Sequence, residues 1–256
     1  MTRTAHAQRI SDQFSPQANA YLTSPVHAAG EDLQRLQQWL APLGHGHILD
    51  IGCGAGHASF TASPLVEQVT AYDLSNEMLR VVKETANNRQ MTNIDCQQGI
   101  AESLPFDDQQ FDCVISRYSA HHWQDVPQAL REVYRVLKPG GKLIMMDIAS
   151  PGAPLYDIWL QSIEVLRDPS HVRDYSPGEW LQMATESGLR IEQLITGQLR
   201  LDFQQWVSRM NTPGPTVATI RALQQAISSQ VQDYFQLQDN GSFTTDTVMF
   251  CAQRHP

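Results

Sequence analysis

The segment His47-Ile48-Leu49-Asp50-Ile51-Gly52-Cys53-Gly54-Ala55-Gly56-His57 constrains this chain more than any other. A short apolar run ends in Asp50, and three glycines follow at alternate positions. An apolar run that stops at glycines reads as a buried strand feeding a tight turn. Glycine permits positive φ in such a turn, and its missing side chain lets a ligand approach the backbone. The loop therefore suits a nucleotide-like ligand. A dinucleotide fingerprint, G-x-G-x-x-G, would need its third glycine at position 57, where this chain carries His57. That mismatch argues against a nicotinamide-dependent oxidoreductase, which stands as the less favoured alternative.

Three further elements follow in order. The run Gln68 to Tyr72 ends at Asp73, 23 residues after Asp50. An acidic residue about 20 positions on, at the end of a second strand, is placed to accept hydrogen bonds from ribose hydroxyls. Ser75 offers an N-cap, and Met78, Leu79, Val82 and Ala86 recur at helical spacing. A strand over Ile94 to Gln98 leads into Gly99-Ile100-Ala101-Glu102-Ser103-Leu104-Pro105-Phe106. A strand over Phe111 to Ser116 leads into Arg117-Tyr118-Ser119-Ala120-His121-His122-Trp123. A helix starts near Pro127, with Leu130, Val133 and Leu137 on its apolar face. Lys138-Pro139-Gly140-Gly141 stops it, and Lys142 to Ile148 begins a new strand. Alternating strands and helices predict βαβ units and a parallel sheet. Ligands bind such sheets beyond the carboxyl ends of the strands. Asp50, Asp73, Ile100 and Ser116 all fall at predicted strand ends, hence on one edge.

The pattern D-x-G-x-G-x-G at Asp50, Gly52, Gly54 and Gly56 resembles the first motif of class I S-adenosylmethionine-dependent methyltransferases. Residues Gly99 to Phe106 are similar to G-D-A-E-x-L-P-F of the methyltransferase type 11 branch, the ubiquinone/menaquinone-biosynthesis type. Val136 to Leu143, V-L-K-P-G-G-K-L, is similar to the signature that follows the core in the same branch. The resemblance spans residues 47 to 148. It implies an α/β, Rossmann-like fold with a seven-stranded, mostly parallel sheet, an antiparallel last strand and helical lid insertions. It also implies S-adenosyl-L-methionine as cofactor. Asp50, Gly52, Gly54 and Gly56 would hold its methionine end, and Asp73 its ribose, with Leu74 and Met78 alongside. Ile100, Ala101 and Glu102 would bracket adenine, with Ser116 at the fourth strand end. Ile100 stands where the branch commonly carries the aspartate that receives the adenine amino group, so that acceptor is missing here.

In such enzymes the loop after the fourth strand faces the transferable methyl group. His121, His122 and Tyr118 are therefore the catalytic candidates, since imidazole titrates near neutrality. The bland alternative is that one histidine packs the loop and the other is solvated. No Asn/Asp-Pro-Pro-Tyr motif follows that strand; Ser116-Arg117-Tyr118-Ser119 occupies its place. The expected reaction is methyl transfer to a small molecule, with carbon, oxygen or nitrogen as acceptor. A non-catalytic S-adenosylmethionine-binding protein is the rival from another class. Phe14-Ser15-Pro16-Gln17-Ala18-Asn19-Ala20-Tyr21 resembles an N-terminal lid segment of related enzymes.

With 256 residues and 41% hydrophobic content, one core with an accessory region is expected. The division is 1–40 for N-terminal lid helices, 41–150 for the cofactor-binding core, and 151–256 for remaining strands and helical insertions. A net charge of −9 with scattered arginines and lysines argues against nucleic acid as partner. Four cysteines without a C-x-x-C pair argue against structural zinc, and no metal is expected. With no secretory signal pattern and no apolar run near eighteen residues, a cytoplasmic protein without a membrane span is expected. Oligomeric state is left open. Beyond Pro151-Gly152-Ala153-Pro154, helices are expected over Tyr156–Leu166, from Ser176 to near Gly188, and over 202–236 with a break at Thr212–Pro215. Strands are expected over Arg190–Thr196 and Asp246–Ala252. Trp159, Ile163 and Leu166 read as core. Arg167, His171 and Arg173 read as a solvated cap surface or as contacts to an anionic substrate group.

Overall fold

The computed structural model describes residues 5–18, 22 and 30–255. Asn19, Ala20 and Tyr21 of the expected lid segment lie outside the described residues. Seven strands form one sheet: β1 (His47–Ile51), β2 (Gln68–Asp73), β3 (Ile94–Gln98), β4 (Phe111–Arg117), β5 (Leu137–Ala149), β6 (Leu189–Leu201) and β7 (Phe243–Arg254). Their order is β3-β2-β1-β4-β5-β7-β6. The first five strands pair in parallel, and β7 is antiparallel to both of its neighbours. This is the expected α/β, Rossmann-like class I methyltransferase architecture.

The central strands β1, β4 and β5 are buried on both faces because they are apolar at consecutive positions. Side chains alternate between the two faces with period two. Ile48, Cys113, Ile115, Ile144, Met146, Met249 and Cys251 join one core. Leu49, Ile51, Val114, Leu143, Met145, Val248 and Phe250 join the other. The first core is covered by α2 (Glu31–Leu40) through Leu33, Leu36 and Leu40, and by α3 (His57–Ala62) through Ala58 and Ala62. The second is covered by α5 (Val126–Val136) through Val126, Ala129, Leu130, Val133 and Val136, and by α7 (Pro177–Glu186) through Trp180 and Ala184. Each fully buried aliphatic or aromatic side chain contributes about 1.5–3 kcal/mol relative to exposure. Helix α4 (Asn76–Asn88) starts where the Ser75 hydroxyl accepts from the Met78 N–H, as its sequence position predicts. Helix α7 starts with a capping box formed by Ser176 and Glu179.

Within the described part of residues 1–40, α1 (Ala5–Phe14) lines the cleft at the strand carboxyl ends, and α2 packs into the first core. The strand expected to start at Lys142 starts at Leu137, which pairs with Phe111. Pro139, Gly140 and Gly141 are accommodated as a register shift, with Gly140 at φ 76°. A bulge takes extra residues without ending a strand. Strands β6 and β7 also outrun their apolar stretches, because their ladder continues to Leu201 and Phe243. These ends enter a third core with Trp159, Ile163, Trp206 and Phe235. That core belongs to a helical cap of α6 (Pro154–Arg167), α8 (Phe203–Arg209), α9 (Gly214–Ala226) and α10 (Ser229–Tyr234). Among the described residues, no helix is long and apolar enough to cross a membrane.

Candidate functional site

Strand order reverses between β1 and β4, and the loops that leave them diverge there. Such switch points open a crevice at the strand carboxyl ends. Here the crevice is a cleft of about 1150 Å³ including its solvent mouth. Nine of the residues predicted to hold the cofactor line it: Asp50, Gly52, Gly54, Asp73, Leu74, Met78, Ile100, Ala101 and Glu102.

Asp50 lies fully buried at the floor. One carboxylate oxygen accepts from Ser59 Oγ of α3 at 2.6 Å, and the other has no protein partner. Burial pushes its pKa up to about 6, against the lowering effect of the Ser59 hydrogen bond. A buried carboxylate with an unpartnered oxygen is costly on its own and fits a cationic group of a bound ligand. Asp73 lies at the rim. Its carboxylate accepts from the Gly54 and Ser75 N–H groups, each at 2.8 Å. Burial raises its pKa, while these backbone bonds oppose the rise. A carboxylate offers about four acceptor positions, so room for ligand donors remains. The glycine turn itself is anchored from below, with Gly52 and Cys53 N–H both donating to the Tyr72 carbonyl.

Tyr72 and Ser75 also line the cleft and escaped sequence reasoning. The Tyr72 hydroxyl donates to the Ile100 carbonyl at 3.1 Å and holds the loop after β3. Glu102 accepts from the Gln124 N–H at 2.8 Å and ties that loop to the one after β4. Ser119 and Trp123 join the opposite wall, where Trp123 Nε1 donates to Ser119 Oγ at 3.2 Å. Helix α1 forms the outer wall through His6, Ile10 and Phe14. His6 Nε2 lies 3.0 Å from the His122 carbonyl oxygen, and Phe14 meets the His122 ring edge-on. None of these long-range contacts has a local sequence signal.

Two predicted cofactor residues stand off the wall. Ser116 is a fully buried residue within β4, because that strand extends one residue further, to Arg117. Gly56 is covered as well: a β-carbon there would press on Phe60 and Val82. It serves the packing of the turn against α3 and α4.

The loop after β4 opens with Tyr118 at φ 51°, an uncommon conformation for a bulky side chain that concentrates at functional sites. Tyr118 and His122 line both the cleft and a second, smaller cavity; His121 lines only the second. His121 Nδ1 lies 2.6 Å from Asp147 Oδ1. Burial disfavours its charge, but Asp147 prevails and raises the pKa to about 9. The Asp147 carboxylate thus favours the imidazolium form of His121. His122 is the reverse: burial, then the His121 charge, lower it to about 4. Its Nδ1 faces the Ser170 carbonyl oxygen at 3.2 Å, which can only accept. Nδ1 therefore carries the hydrogen, and Nε2 keeps its lone pair.

Arg167, His171 and Arg173 do not form an anion site. Arg173 bonds Glu179 at 3.0 Å and Asp157 at 3.3 Å. Arg167 donates to the Trp206 carbonyl at 2.9 Å, and buried His171 bonds Gln161 at 2.9 Å. Among the described residues, no three His, Cys, Asp or Glu side chains converge as metal ligands.

A parallel sheet with reversed strand order, a glycine turn on a buried acid and a second acid at the next strand end are the features expected of a class I methyltransferase that uses S-adenosylmethionine. Residues 49–145 match the methyltransferase domain family Methyltransf_11. The chain is 55% identical over 203 residues to the uncharacterized protein YafE of Escherichia coli K12, covering 79% of this chain and 98% of that one. It is 36% identical to the uncharacterized methyltransferase YcgJ of Bacillus subtilis, over 94% of each chain. The crystal structure of YcgJ superimposes with a TM-score of 0.84, over 88% of this chain and 99% of that one. A demethylmenaquinone methyltransferase of Listeria monocytogenes is 31% identical over 198 residues, 72% of this chain and 81% of that enzyme. The chain belongs to this methyltransferase family.

Proposed function

We propose that this enzyme methylates a small molecule that approaches the cofactor through the loop after β4. The cofactor supplies an activated methyl group on a sulfonium, whose departure needs no acid. Asp50, with its unpartnered oxygen, receives the methionine ammonium. Asp73 receives the ribose hydroxyls. Leu74, Met78, Ile100 and Ala101 bracket adenine, with backbone groups replacing the missing aspartate. The observation that carries the reading is the meeting of Asp50, Asp73 and the Tyr118–His122 loop around one cleft.

The protein's remaining tasks are to align the acceptor, exclude water and, for a weak nucleophile, remove a proton. Helix α1 and the aromatic wall of Phe14, Tyr118 and Trp123 exclude water. His121, favoured as imidazolium, is a poor base; it fixes the loop through Asp147. His122 Nε2 is the position that can accept a proton. Calorimetry with S-adenosylmethionine, S-adenosylhomocysteine and NAD tests the cofactor, the expected result being binding of the first two alone. Release of S-adenosylhomocysteine across a panel of acceptors tests turnover. Binding without turnover on any acceptor would favour a ligand-binding role instead.

A further inference from the structure

The second cavity encloses about 580 Å³ including its solvent opening. It shares Phe14, Tyr118 and His122 with the cofactor cleft, so the two meet at the loop after β4. Its far end is walled by Ile148, Leu199, Leu201 and Trp206. Residue for residue, these come from β5, β6 and α8, which no cofactor motif includes.

The polar groups on its wall divide into two kinds. Most are satisfied within the protein. Glu164 pairs with Arg167 at 3.3 Å, and His121 pairs with Asp147. Asp168 Oδ1 accepts from the Ser170 N–H and hydroxyl, and Arg209 is also engaged. Asp174 is different. It is 1% exposed, lines the cavity, and its Oδ2 has no hydrogen-bond partner. The nearest cationic candidate, His171 Nε2, is 3.9 Å away and already faces Gln161. Such an orphan buried oxygen is costly unless a ligand satisfies it.

We propose that this cavity is the acceptor pocket, and that it takes an uncharged molecule with an apolar body and a hydroxyl group held by Asp174. This rests on the methyltransferase reading above. Burial and the neighbouring Glu164 charge push Asp174 well above the usual carboxylate range. A protonated carboxyl both donates and accepts, which matches a hydroxyl. The charged side chains on the same wall are engaged within the protein, so they offer neither a cationic nor an anionic acceptor a free counter-charge.

The test uses the full chain saturated with S-adenosylhomocysteine, and saturation-transfer NMR with four probes: cyclohexanol, phenol, cyclohexylammonium and benzoate. Both hydroxyl probes are expected to bind, and the charged probes at least tenfold more weakly. Asp174→Leu should weaken the hydroxyl probes about tenfold, the value of one hydrogen bond, while Asp174→Asn retains them. Leu199→Trp, which fills the apolar end, should abolish probe binding with S-adenosylhomocysteine affinity unchanged; it serves equally should Asp174→Leu fail to fold. Absence of hydroxyl-probe binding, charged probes binding as tightly, or indifference to both Leu199→Trp and Asp174→Leu would overturn the assignment. Failure of S-adenosylhomocysteine itself to bind would instead overturn the cofactor reading. The same probes without S-adenosylhomocysteine then report the pocket alone.

Discussion

The Ser119 hydroxyl occupies the position that a β-carbon on Gly52 would need. Two loops 67 residues apart in the chain are thereby pressed together at the strand-order reversal. Gly52 also sits at φ 65°, where an L side chain is strained. Its glycine is therefore required twice, once by its own backbone and once by a neighbour from the loop after β4.

Gly52→Ala should destabilise the protein by about 1–3 kcal/mol and weaken S-adenosylmethionine binding by tenfold or more. Adding Ser119→Gly removes the collision and leaves the backbone strain. The double variant should recover part of the stability, and thermal denaturation with calorimetry checks both. Full recovery would mean that φ at this position costs nothing.

Asp73→Ala should reduce cofactor affinity by about 1–3 kcal/mol, the range for a charged hydrogen-bond partner. The Gly54 N–H loses its acceptor as well, so the glycine turn loosens. Isothermal calorimetry on a variant with unchanged circular dichroism checks this.

Ile100→Asp supplies the aspartate of the G-D-A-E-x-L-P-F pattern that residues 99–106 resemble. The position is half-buried and its carbonyl is held by Tyr72, so the backbone has no reason to move. Cofactor affinity should be kept or improved. A large loss in a variant that remains folded would show that position 100 does not meet adenine.

His121 and His122 should titrate on opposite sides of their ordinary value of 6.5, near 9 and near 4, in NMR of the ring carbons. For His121 the folded state binds the proton more tightly. Its stabilisation is complete below 6.5 and is lost as pH rises through 9. For His122 the unfolded state binds the proton more tightly. Its contribution is complete above 6.5 and is lost as pH falls through 4. His121→Gln leaves Asp147 buried without its partner and should cost about 3–5 kcal/mol at pH 6. That difference from the parent should shrink by pH 10 in urea unfolding.

With turnover established, His122→Asn should slow an acceptor that must lose a proton, by up to about 10²–10⁴-fold if Nε2 is the base. The loss should carry the pH dependence of the rate. His121→Asn should slow turnover without removing the acid-side ionisation that His122 contributes. An unchanged pH profile for His122→Asn would assign that residue to packing alone.

Local sequence determined the elements whose information is local. Periodicity and breakers set the strands β1 to β4 and the helices between them. The spacing of Asp50, the glycines and Asp73 marked most of the cleft floor, because consecutive strand ends share one edge in a parallel sheet. Tertiary structure decided what depends on contacts between distant residues. It buried Ser116 one residue short of the strand end and turned Gly56 toward Phe60 and Val82. It brought α1 against His122, and Ser119 against Gly52. It also shifts the pKa values of two adjacent histidines in opposite directions, one beside Asp147 and the other beside the Ser170 carbonyl. Adjacent identical residues carry no sign of that difference, because a pKa is set by burial and by partners that only folding supplies.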